Sequence, residues 1–397
     1  MFKLRKPLLI FLLIFLVSLT FAPESALTAD DNDLNPGELF SEAVNYYFQK
    51  DYNNAAEGFA ELLKINDLDE QIRTDALYYS ALTAVKNYDT GTALSNLREL
   101  EEINYQSGRL YWEIAQLFLN KDGKFDSADF ERALEYLEKA SELGLSRRAF
   151  KRDYAYAYRE SGELDQAEKI YQEILNDDPG PQDYVNIAGI MEKKGELNKA
   201  VEYYETALES DISSGSVYFN LAELYQKLDR YNSAVDIYKQ GIEMNSDFTP
   251  YHIGLAESYL ALENYSRAEN SLQKAVELNP KGYYSYYLLG IVNKERGNYS
   301  QAFNYLRESL KNNPDYVKAY LAEGQIHLDN GDYYRAISRF TLAVEKNELY
   351  AESRYYLGLA YYRAEMYDAA RAELRKALHI DDTYTEAREL LDIIEAR

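Results

Sequence analysis

Residues 283–316 read YYSYYLLGIVNKERGNYSQAFNYLRESLKNNPDY, and the spacing of three small residues within them decides the fold. Gly290, Ala302 and Ser309 stand at positions 8, 20 and 27 of this 34-residue unit. A glycine, alanine or serine occupies the same three positions in six consecutive units, which begin at residues 181, 215, 249, 283, 317 and 351. A fixed period of this length indicates a repeat architecture in which every unit is one supersecondary structure.

The remaining residues of each unit predict two antiparallel helices. Positions 4, 7 and 11 are mostly apolar or aromatic and share a helical face with position 8. Positions 17 and 24 hold tyrosine, phenylalanine or leucine, and a bend at position 15 or 16 is marked by Gly195, Asp229, Asn264, Gly297 and Gly331. Since two crossing backbones leave room only for a small side chain, the recurring glycines and alanines predict close helix packing.

This pattern resembles the tetratricopeptide repeat (TPR). The resemblance is strong over residues 181–384, and residues 148–180 and 36–69 form further units. In 72–105 only Tyr88 and Gly91 can be placed, and the two helices of 108–147 are separated by a longer loop, KDGKFDSADF, at 121–130. The resemblance implies an all-α superhelical solenoid of about ten antiparallel helix pairs, with divergent repeats in 36–147, a regular array in 148–384 and a capping helix in 385–397.

The chain contains 40 tyrosines, and the repeat explains many of them. The tyrosines at positions 4, 11, 17 and 24 are expected in the core, with their hydroxyls reaching its rim. This set includes Tyr46, Tyr52, Tyr88, Tyr158 and Tyr171.

A second stripe on the first helix, at positions 5, 9 and 12, faces the concave groove in the family that the chain resembles. In the four units from residue 249 onward, apolar or aromatic residues occupy most of this stripe and one neighbouring position: Ile253, Leu260, Tyr284, Tyr287, Ile291, Leu321, Leu328, Tyr355, Leu359 and Tyr362. Contiguous exposed apolar surface usually marks a binding site, so these ten residues form the candidate groove. The alternative is that they pack against neighbouring first helices or seal a tightly wound superhelix.

One binding mode of the family is not expected. TPR domains that hold a C-terminal carboxylate use lysine at position 5 and asparagine at position 9. Position 5 here holds Val185, Phe219, Ile253, Tyr287, Leu321 and Tyr355, and no unit carries the pair.

The formal net charge of −24 limits the class of partner. An acidic surface repels phosphate backbones, so nucleic acid is not an expected partner. The charge favours solubility and partners with basic patches, although solvation of exposed helix faces also explains it. The absence of cysteine excludes disulfides, thiolate metal sites and a cysteine nucleophile.

The N-terminal 29 residues have the layout of a secretory signal peptide. The basic stretch MFKLRKP precedes the apolar run LLIFLLIFLVSLTFA at 8–22, which is shorter than the roughly 20 residues that cross a bilayer. An uncleaved membrane anchor and a buried N-terminal helix of a cytosolic protein remain alternatives. We therefore expect an exported protein, periplasmic or extracellular, that touches the membrane only if this segment is retained.

No pattern points to catalysis, a metal or a cofactor. His252 and His327 fall at core positions 4 and 11, and His379 lies near the end of a second helix. No HExxH, GxSxG, GxxxxGK[ST] or GxGxxG motif occurs. The sequence thus indicates a binding protein rather than an enzyme: either a scaffold that holds protein or peptide partners and helps to assemble an envelope complex, or a protein of polysaccharide export or binding.

Overall fold

The computed structural model describes residues 35–119, 127–210 and 214–396, which form 21 α-helices and no β-strand. The all-α expectation is therefore confirmed. The expected export segment, residues 1–29, and most of the loop at 121–130 lie outside the described residues. Among the helices that are described, none is long and apolar enough to cross a membrane.

The helices follow one another as pairs with short connections. In chain order they are α1 (Pro36–Phe48), α2 (Tyr52–Leu62), α3 (Glu70–Lys86), α4 (Thr90–Glu102), α5 (Gly108–Leu119), α6 (Ser127–Glu142), α7 (Arg148–Ser161), α8 (Leu164–Leu175), α9 (Pro181–Lys193), α10 (Leu197–Glu209), α11 (Gly215–Lys227), α12 (Tyr231–Met244), α13 (Thr249–Ala261), α14 (Tyr265–Leu278), α15 (Tyr283–Glu295), α16 (Tyr299–Asn312), α17 (Val317–Asp329), α18 (Tyr333–Lys346), α19 (Ala351–Arg363), α20 (Tyr367–Ile380) and α21 (Thr385–Glu395). From α9 onward, every first helix begins at position 1 of its unit and every second helix begins at position 17.

The small residue at position 8 lets the two helices of a unit approach each other. A Cβ atom added to Gly290 would lie 2.7 Å from Leu306 Cδ2, and one added to Gly358 would lie 2.9 Å from Leu374 Cγ. Leu306 and Leu374 stand at position 24 and are fully buried. Position 8 of the first helix therefore packs directly on position 24 of the second, which confirms the close helix packing that the small residues predict.

The bend between the two helices has a left-handed residue at position 15 in all six regular units. Gly195, Gly297 and Gly331 have φ values of 77°, 75° and 76°. Asp229, Glu263 and Glu365 adopt the same conformation, with φ of 56°, 55° and 60°. In the unit at 249 the residue that makes this turn is therefore Glu263, whereas the sequence pattern pointed to Asn264, which caps α14 by accepting from the Arg267 amide.

The chain forms two compact units that divide between Asp153 and Tyr154, within α7 and a few residues after the expected boundary at 147 and 148. In the first unit, the Phe59 and Tyr79 rings stack with centroids 6.2 Å apart. The expectation that Tyr88 is a core residue is wrong. Tyr88 is 73% exposed and has a φ of 57°, because it forms the turn between α3 and α4.

The second unit ends in the predicted capping helix, α21. Its buried residues Ala387, Leu390 and Ile394 pack with Leu374 and Ala377 of α20. The exposed positions of α21 include charged residues, so the array ends on a largely polar surface, as terminal repeats require.

Candidate functional site

The ten residues of the candidate groove lie on the first helices α13, α15, α17 and α19, and none of them is fully exposed. Nine are half-buried, while Leu321 is only 4% exposed and packs in a cluster with Phe340 and Leu357. Leu328 packs against the edge of that same cluster. Leu321 is therefore part of the core rather than of an accessible surface.

The structure brings the other candidate residues together in two places. Tyr287 and Ile291 pack on the cluster built around Leu306 and Ile326, and the Tyr284 ring stacks beside Tyr287 with centroids 6.0 Å apart. Farther along the chain, the second group packs against the cluster that joins α20 and α21: Tyr355, Leu359 and Tyr362. Ile253 and Leu260 are half-buried on α13.

A second series of aromatic residues covers part of this face. These residues lie outside the stripe at positions 5, 9 and 12. The series consists of the residues at position 34, just before a first helix: Phe248, Tyr316, Tyr350 and Tyr384. Three of them lie beside the position-5 residue of their own unit: the ring centroid of Phe248 is 5.9 Å from that of Phe219, that of Tyr316 is 5.1 Å from that of Tyr287, and that of Tyr384 is 5.2 Å from that of Tyr355. Tyr350 packs on the cluster that contains Leu321. These rings explain why the candidate groove is only half-exposed. The period of 34 would have revealed them, although Gly282 interrupts the series.

Five tyrosines on this face form what we call the tyrosine cluster: Tyr283, Tyr284, Tyr287, Tyr316 and Tyr350. Tyr316 lies in its middle, with its ring centroid 4.9 Å from that of Tyr283 and 6.4 Å from that of Tyr284. Tyr350 lies within electrostatic range of both Tyr316 and Tyr287. The cluster thus joins α15 to the loops that precede α17 and α19.

Two carboxylates border the tyrosine cluster. The Tyr284 hydroxyl donates to Glu257 Oε1 at 2.5 Å, and the Tyr350 hydroxyl donates to Glu352 Oε2 at 2.6 Å. Burial raises the pKa of Tyr287 to about 12, and the negative charge of the neighbouring Glu352 adds a smaller contribution in the same direction. Burial and the hydrogen bond to Glu352 also raise the pKa of Tyr350 to about 12, so these phenols stay neutral at physiological pH.

A polar cavity of about 600 Å³ lies earlier in the second unit, between α7, α9 and α11. Its lining is charged and amide-rich: Arg159, Glu160, Val185, Asn186, Gly189, Glu192, Lys193, Tyr204, Asn220 and Lys227. Val185, Gly189 and Glu192 hold positions 5, 9 and 12 of the unit at 181, the same register as the candidate groove. Sequence reasoning missed this cavity because it searched for apolar residues. A repeated polar pattern in the sequence could have indicated it. Two consecutive units carry asparagine at position 6, Asn186 and Asn220, and lysine at position 13, Lys193 and Lys227.

The charges in the cavity alternate in sign. Arg159 Nε lies 2.7 Å and Lys193 Nζ lies 3.4 Å from Glu160 Oε1. Burial opposes ionisation of Glu160, but the two cations outweigh it and lower the pKa of that carboxyl. Lys227 Nζ lies 2.6 Å from Glu192 Oε1, and this hydrogen bond raises the pKa of the lysine. The cavity therefore holds three cations and two carboxylates, a local positive excess in an acidic chain.

Gly189 provides open space in the cavity wall. A Cβ atom added there would meet no atom within 4 Å. Nearby, Asn220 Nδ2 donates to the Tyr204 hydroxyl at 3.3 Å, and Asn186 Oδ1 accepts from Gln182 Nε2 at 3.2 Å. Because Gly189 lines the cavity and an added Cβ atom meets no neighbour, this position is a suitable place for a substitution that tests the use of the cavity.

The described residues contain no group of three histidine, aspartate or glutamate side chains that could hold a metal ion. His252 is 7% exposed, and its Nε2 lies 2.8 Å from the Ser246 carbonyl oxygen. His327 packs beside the Phe303 ring at 4.8 Å, and burial lowers the pKa of its imidazole. Both histidines therefore have structural contacts at their repeat positions.

Models of the tetratricopeptide repeat match the chain over residues 124–188, 184–211, 215–248, 253–317 and 321–385, which together make up more than half of its length. No curated protein sequence matches it significantly. A tetratricopeptide repeat protein from Parabacteroides merdae is similar in structure, with a TM-score of 0.52 and 21% identity over 62% of this chain and 97% of that one.

Two further solved structures are similar to part or most of the chain. YrrB, described as a TPR protein with an unusual peptide-binding site, has a TM-score of 0.36 and 23% identity over 48% of this chain and 98% of that one. The Cut9–Hcn1 hetero-tetramer of the APC/C has a TM-score of 0.46 and 15% identity over 90% of this chain and 76% of that one. At 21% identity, the likeness to the Parabacteroides merdae protein shows the fold alone.

Proposed function

The chain belongs to the tetratricopeptide repeat family, and from this premise we propose that it is a scaffold that binds an extended segment of a partner protein on its first helices. TPR proteins bind protein or peptide partners: YrrB is described by its peptide-binding site, and Cut9 by its complex with Hcn1. The proposed function is binding rather than catalysis, and it needs no cofactor.

The polar cavity between α7, α9 and α11 is the observation that carries this proposal. Its volume of about 600 Å³ falls within the range of roughly 300–1,000 Å³ that is usual for ligand sites. Every residue of an extended peptide offers an N–H donor and a carbonyl acceptor. The Asn186 and Asn220 amides can both donate and accept, so they match such a backbone.

The charged residues of the cavity add selectivity. Arg159, Lys193 and Lys227 already pair with Glu160 or Glu192, so a bound segment would have to exchange partners with them. A segment that carries charges of both signs can replace these pairs, whereas an apolar segment would leave them without partners. We therefore propose a polar, charged segment as the cavity's occupant, and the candidate groove of the later units as the surface that continues its path.

The test uses Gly189→Phe, which fills the cavity. Dodecapeptides selected from a random display library on the wild-type chain are labelled, and their affinities are measured by fluorescence anisotropy. Gly189→Phe should lose at least about tenfold in affinity, because the ring occupies the volume that a bound side chain would take. The matched control is Gln240→Phe, which places the same ring at an exposed position of α12 outside the cavity and should change the affinity less than twofold.

Two results would contradict the proposal. One is a library that yields no peptide for the folded wild-type chain. The other is a set of peptides whose affinity is the same for wild type and Gly189→Phe. Circular dichroism of both variants checks that the helical array is intact.

We also propose that the chain is exported and acts in the periplasm or outside the cell. The support is the order of charges and apolar residues in the first 29 residues. Residues 1–40 fused to alkaline phosphatase, which is active only after export, should give activity that disappears when residues 8–22 are deleted. The mass of the mature chain then distinguishes a cleaved signal from a retained anchor, and an inactive fusion would reject export.

Polysaccharide is the alternative ligand class, because tyrosine rings stack well on sugars and the candidate groove is rich in them. The groove also contains Leu328, Leu359 and Ile291, which offer sugars no ring face. A glycan array probed with the folded chain decides the matter. Binding to a glycan that Tyr287→Ala and Tyr355→Ala abolish would favour the polysaccharide function over the peptide scaffold.

A further inference from the structure

The tyrosine cluster has a chemical character of its own. Its five rings surround Tyr316, whose centroid lies 4.9 Å from Tyr283 and 5.1 Å from Tyr287. Tyr283 is 36% exposed, and the other four residues are half-buried. Ring faces carry negative electrostatic potential, so several of them gathered at one place attract a cation.

The two carboxylates beside the cluster strengthen that attraction. Glu257 and Glu352 are half-buried, and within the described residues neither has a lysine, arginine or histidine nitrogen within 4.0 Å. Each instead accepts a hydrogen bond from a phenol of the cluster. A half-buried carboxylate is stabilised by a nearby cation, and neither of these two has one within that distance.

The repeat fold does not require these residues. Tyr284 and Glu352 stand at position 2, where the units at 181 and 215 have Gln182 and Ser216. Tyr316 and Tyr350 stand at position 34, where Ser214 ends the unit at 181. Those units form helix pairs with the same register, so the pairing itself does not depend on these residues, although Tyr316 and Tyr350 also pack against the clusters around Leu306 and Phe340.

We propose that the tyrosine cluster, together with Glu257 and Glu352, binds the arginine or lysine side chain of a partner segment. The cation would lie over the ring faces and take the two carboxylates as its counter-charges. This inference rests on the proposed scaffold function, since it names the chemistry that one part of the partner must have. Selective attraction of a basic segment also matches the acidity of the whole chain.

The test compares two rhodamine-labelled octapeptides, (Gly-Arg)4 and (Gly-citrulline)4, by anisotropy in 150 mM salt. Citrulline keeps the shape of arginine but has no charge. We expect the arginine peptide to bind wild type at least about tenfold more tightly, and Glu257→Gln/Glu352→Gln to lose most of that difference. The matched control is Glu209→Gln/Glu243→Gln, which removes the same charge from exposed positions of α10 and α12 and should lose less than about twofold.

The rings are tested separately. Tyr316→Phe keeps the aromatic face and should bind the arginine peptide as wild type does, whereas Tyr316→Leu should lose about fivefold. Equal losses in the two double-glutamine variants, or unchanged affinity in Tyr316→Leu, would overturn the inference, because the attraction would then come from the overall charge.

Rejection of the cation site can be distinguished from rejection of the proposed scaffold function. If library peptides bind the wild-type chain and lose affinity in Gly189→Phe but show no preference for arginine or lysine, the scaffold function stands and the cation site is rejected. If no library peptide binds, the scaffold function itself is rejected.

Discussion

Glu323 offers a sharp test of how the repeat uses its core. It stands at position 7 of its unit, where the other five regular units hold buried aliphatic residues: Ile187, Leu221, Leu255, Leu289 and Leu357. The Glu323 side chain is only 2% exposed. Its Oε2 lies 3.3 Å from Arg339 Nε but accepts no hydrogen bond of good geometry from the described residues. Burial raises the pKa of this carboxyl despite the opposing charges of Arg339 and Arg307.

We predict that Glu323→Leu stabilises the protein. Replacing a buried ion pair by well-packed apolar residues is often neutral or stabilising by about 1–4 kcal/mol. The Arg339 side chain is 38% exposed and can turn to water when its partner is removed. We therefore expect the free energy of unfolding to rise by about 1–2 kcal/mol at neutral pH.

The gain should depend on pH. A carboxyl group whose pKa is raised by folding contributes its full stability below its unfolded pKa of about 4.3 and loses it as the pH rises through the folded value. The advantage of Glu323→Leu should therefore be larger at neutral pH than near pH 4. Urea unfolding followed by circular dichroism at both pH values measures it.

Leu289→Glu is the mirror control, because it places a carboxyl group at the same position of the preceding unit. It should cost at least about 2 kcal/mol, since the group is buried there without a designed partner. A Glu323→Leu protein that is less stable than wild type at neutral pH would show that the Glu323–Arg339 pair is net stabilising, and the reasoning would be refuted.

The remaining predictions concern glycine and the left-handed turn. Gly324→Ala should destabilise the protein by about 1–3 kcal/mol, because the added Cβ would overlap the Phe340 ring. Gly189→Ala should instead stabilise it by about 0.5–1 kcal/mol, because its Cβ meets open space on a helix. Thermal unfolding of the two variants compares them directly, and shifts of the same sign would contradict the packing argument. Glu263→Gly and Glu365→Gly should each raise the free energy of unfolding in urea by about 0.5–1 kcal/mol, since φ values of 55° and 60° suit glycine better than a residue with a Cβ. A lower free energy of unfolding in both variants would mean that the glutamate side chains contribute more than the backbone strain costs.

The period of 34 was enough to locate the regular array. Small residues at fixed spacing are a property of helix pairs that pack closely, so Ala302 and Gly290 identified their helices before any contact was known. The turn was harder, because residue type alone favours Asn264, while the position in the repeat demands the left-handed conformation of Glu263. The prediction that Tyr88 is buried in the core is wrong because the repeat pattern is weak in the surrounding residues.

The candidate site was less accessible to sequence reasoning. Leu321 is buried in a cluster that also includes Phe340, Leu357 and the loop residue Tyr350, and these residues come from other parts of the repeat array. The polar cavity depends on residues from three first helices and on Tyr204 of the second helix α10, and the open space at Gly189 depends on what the neighbouring helices leave unfilled. Periodicity reports which residues share a face, but it does not report how much room remains above that face.

The most direct test of the scaffold function is a photo-crosslink from inside the cavity in the native cell. Val185 lines the cavity, so p-benzoylphenylalanine introduced in its place should crosslink to a defined segment of another protein, identified by mass spectrometry. The same residue introduced at the exposed Gln240 should not crosslink to that segment. Absence of any protein crosslink from position 185 in the folded chain, or the same crosslinks from both positions, would contradict the account.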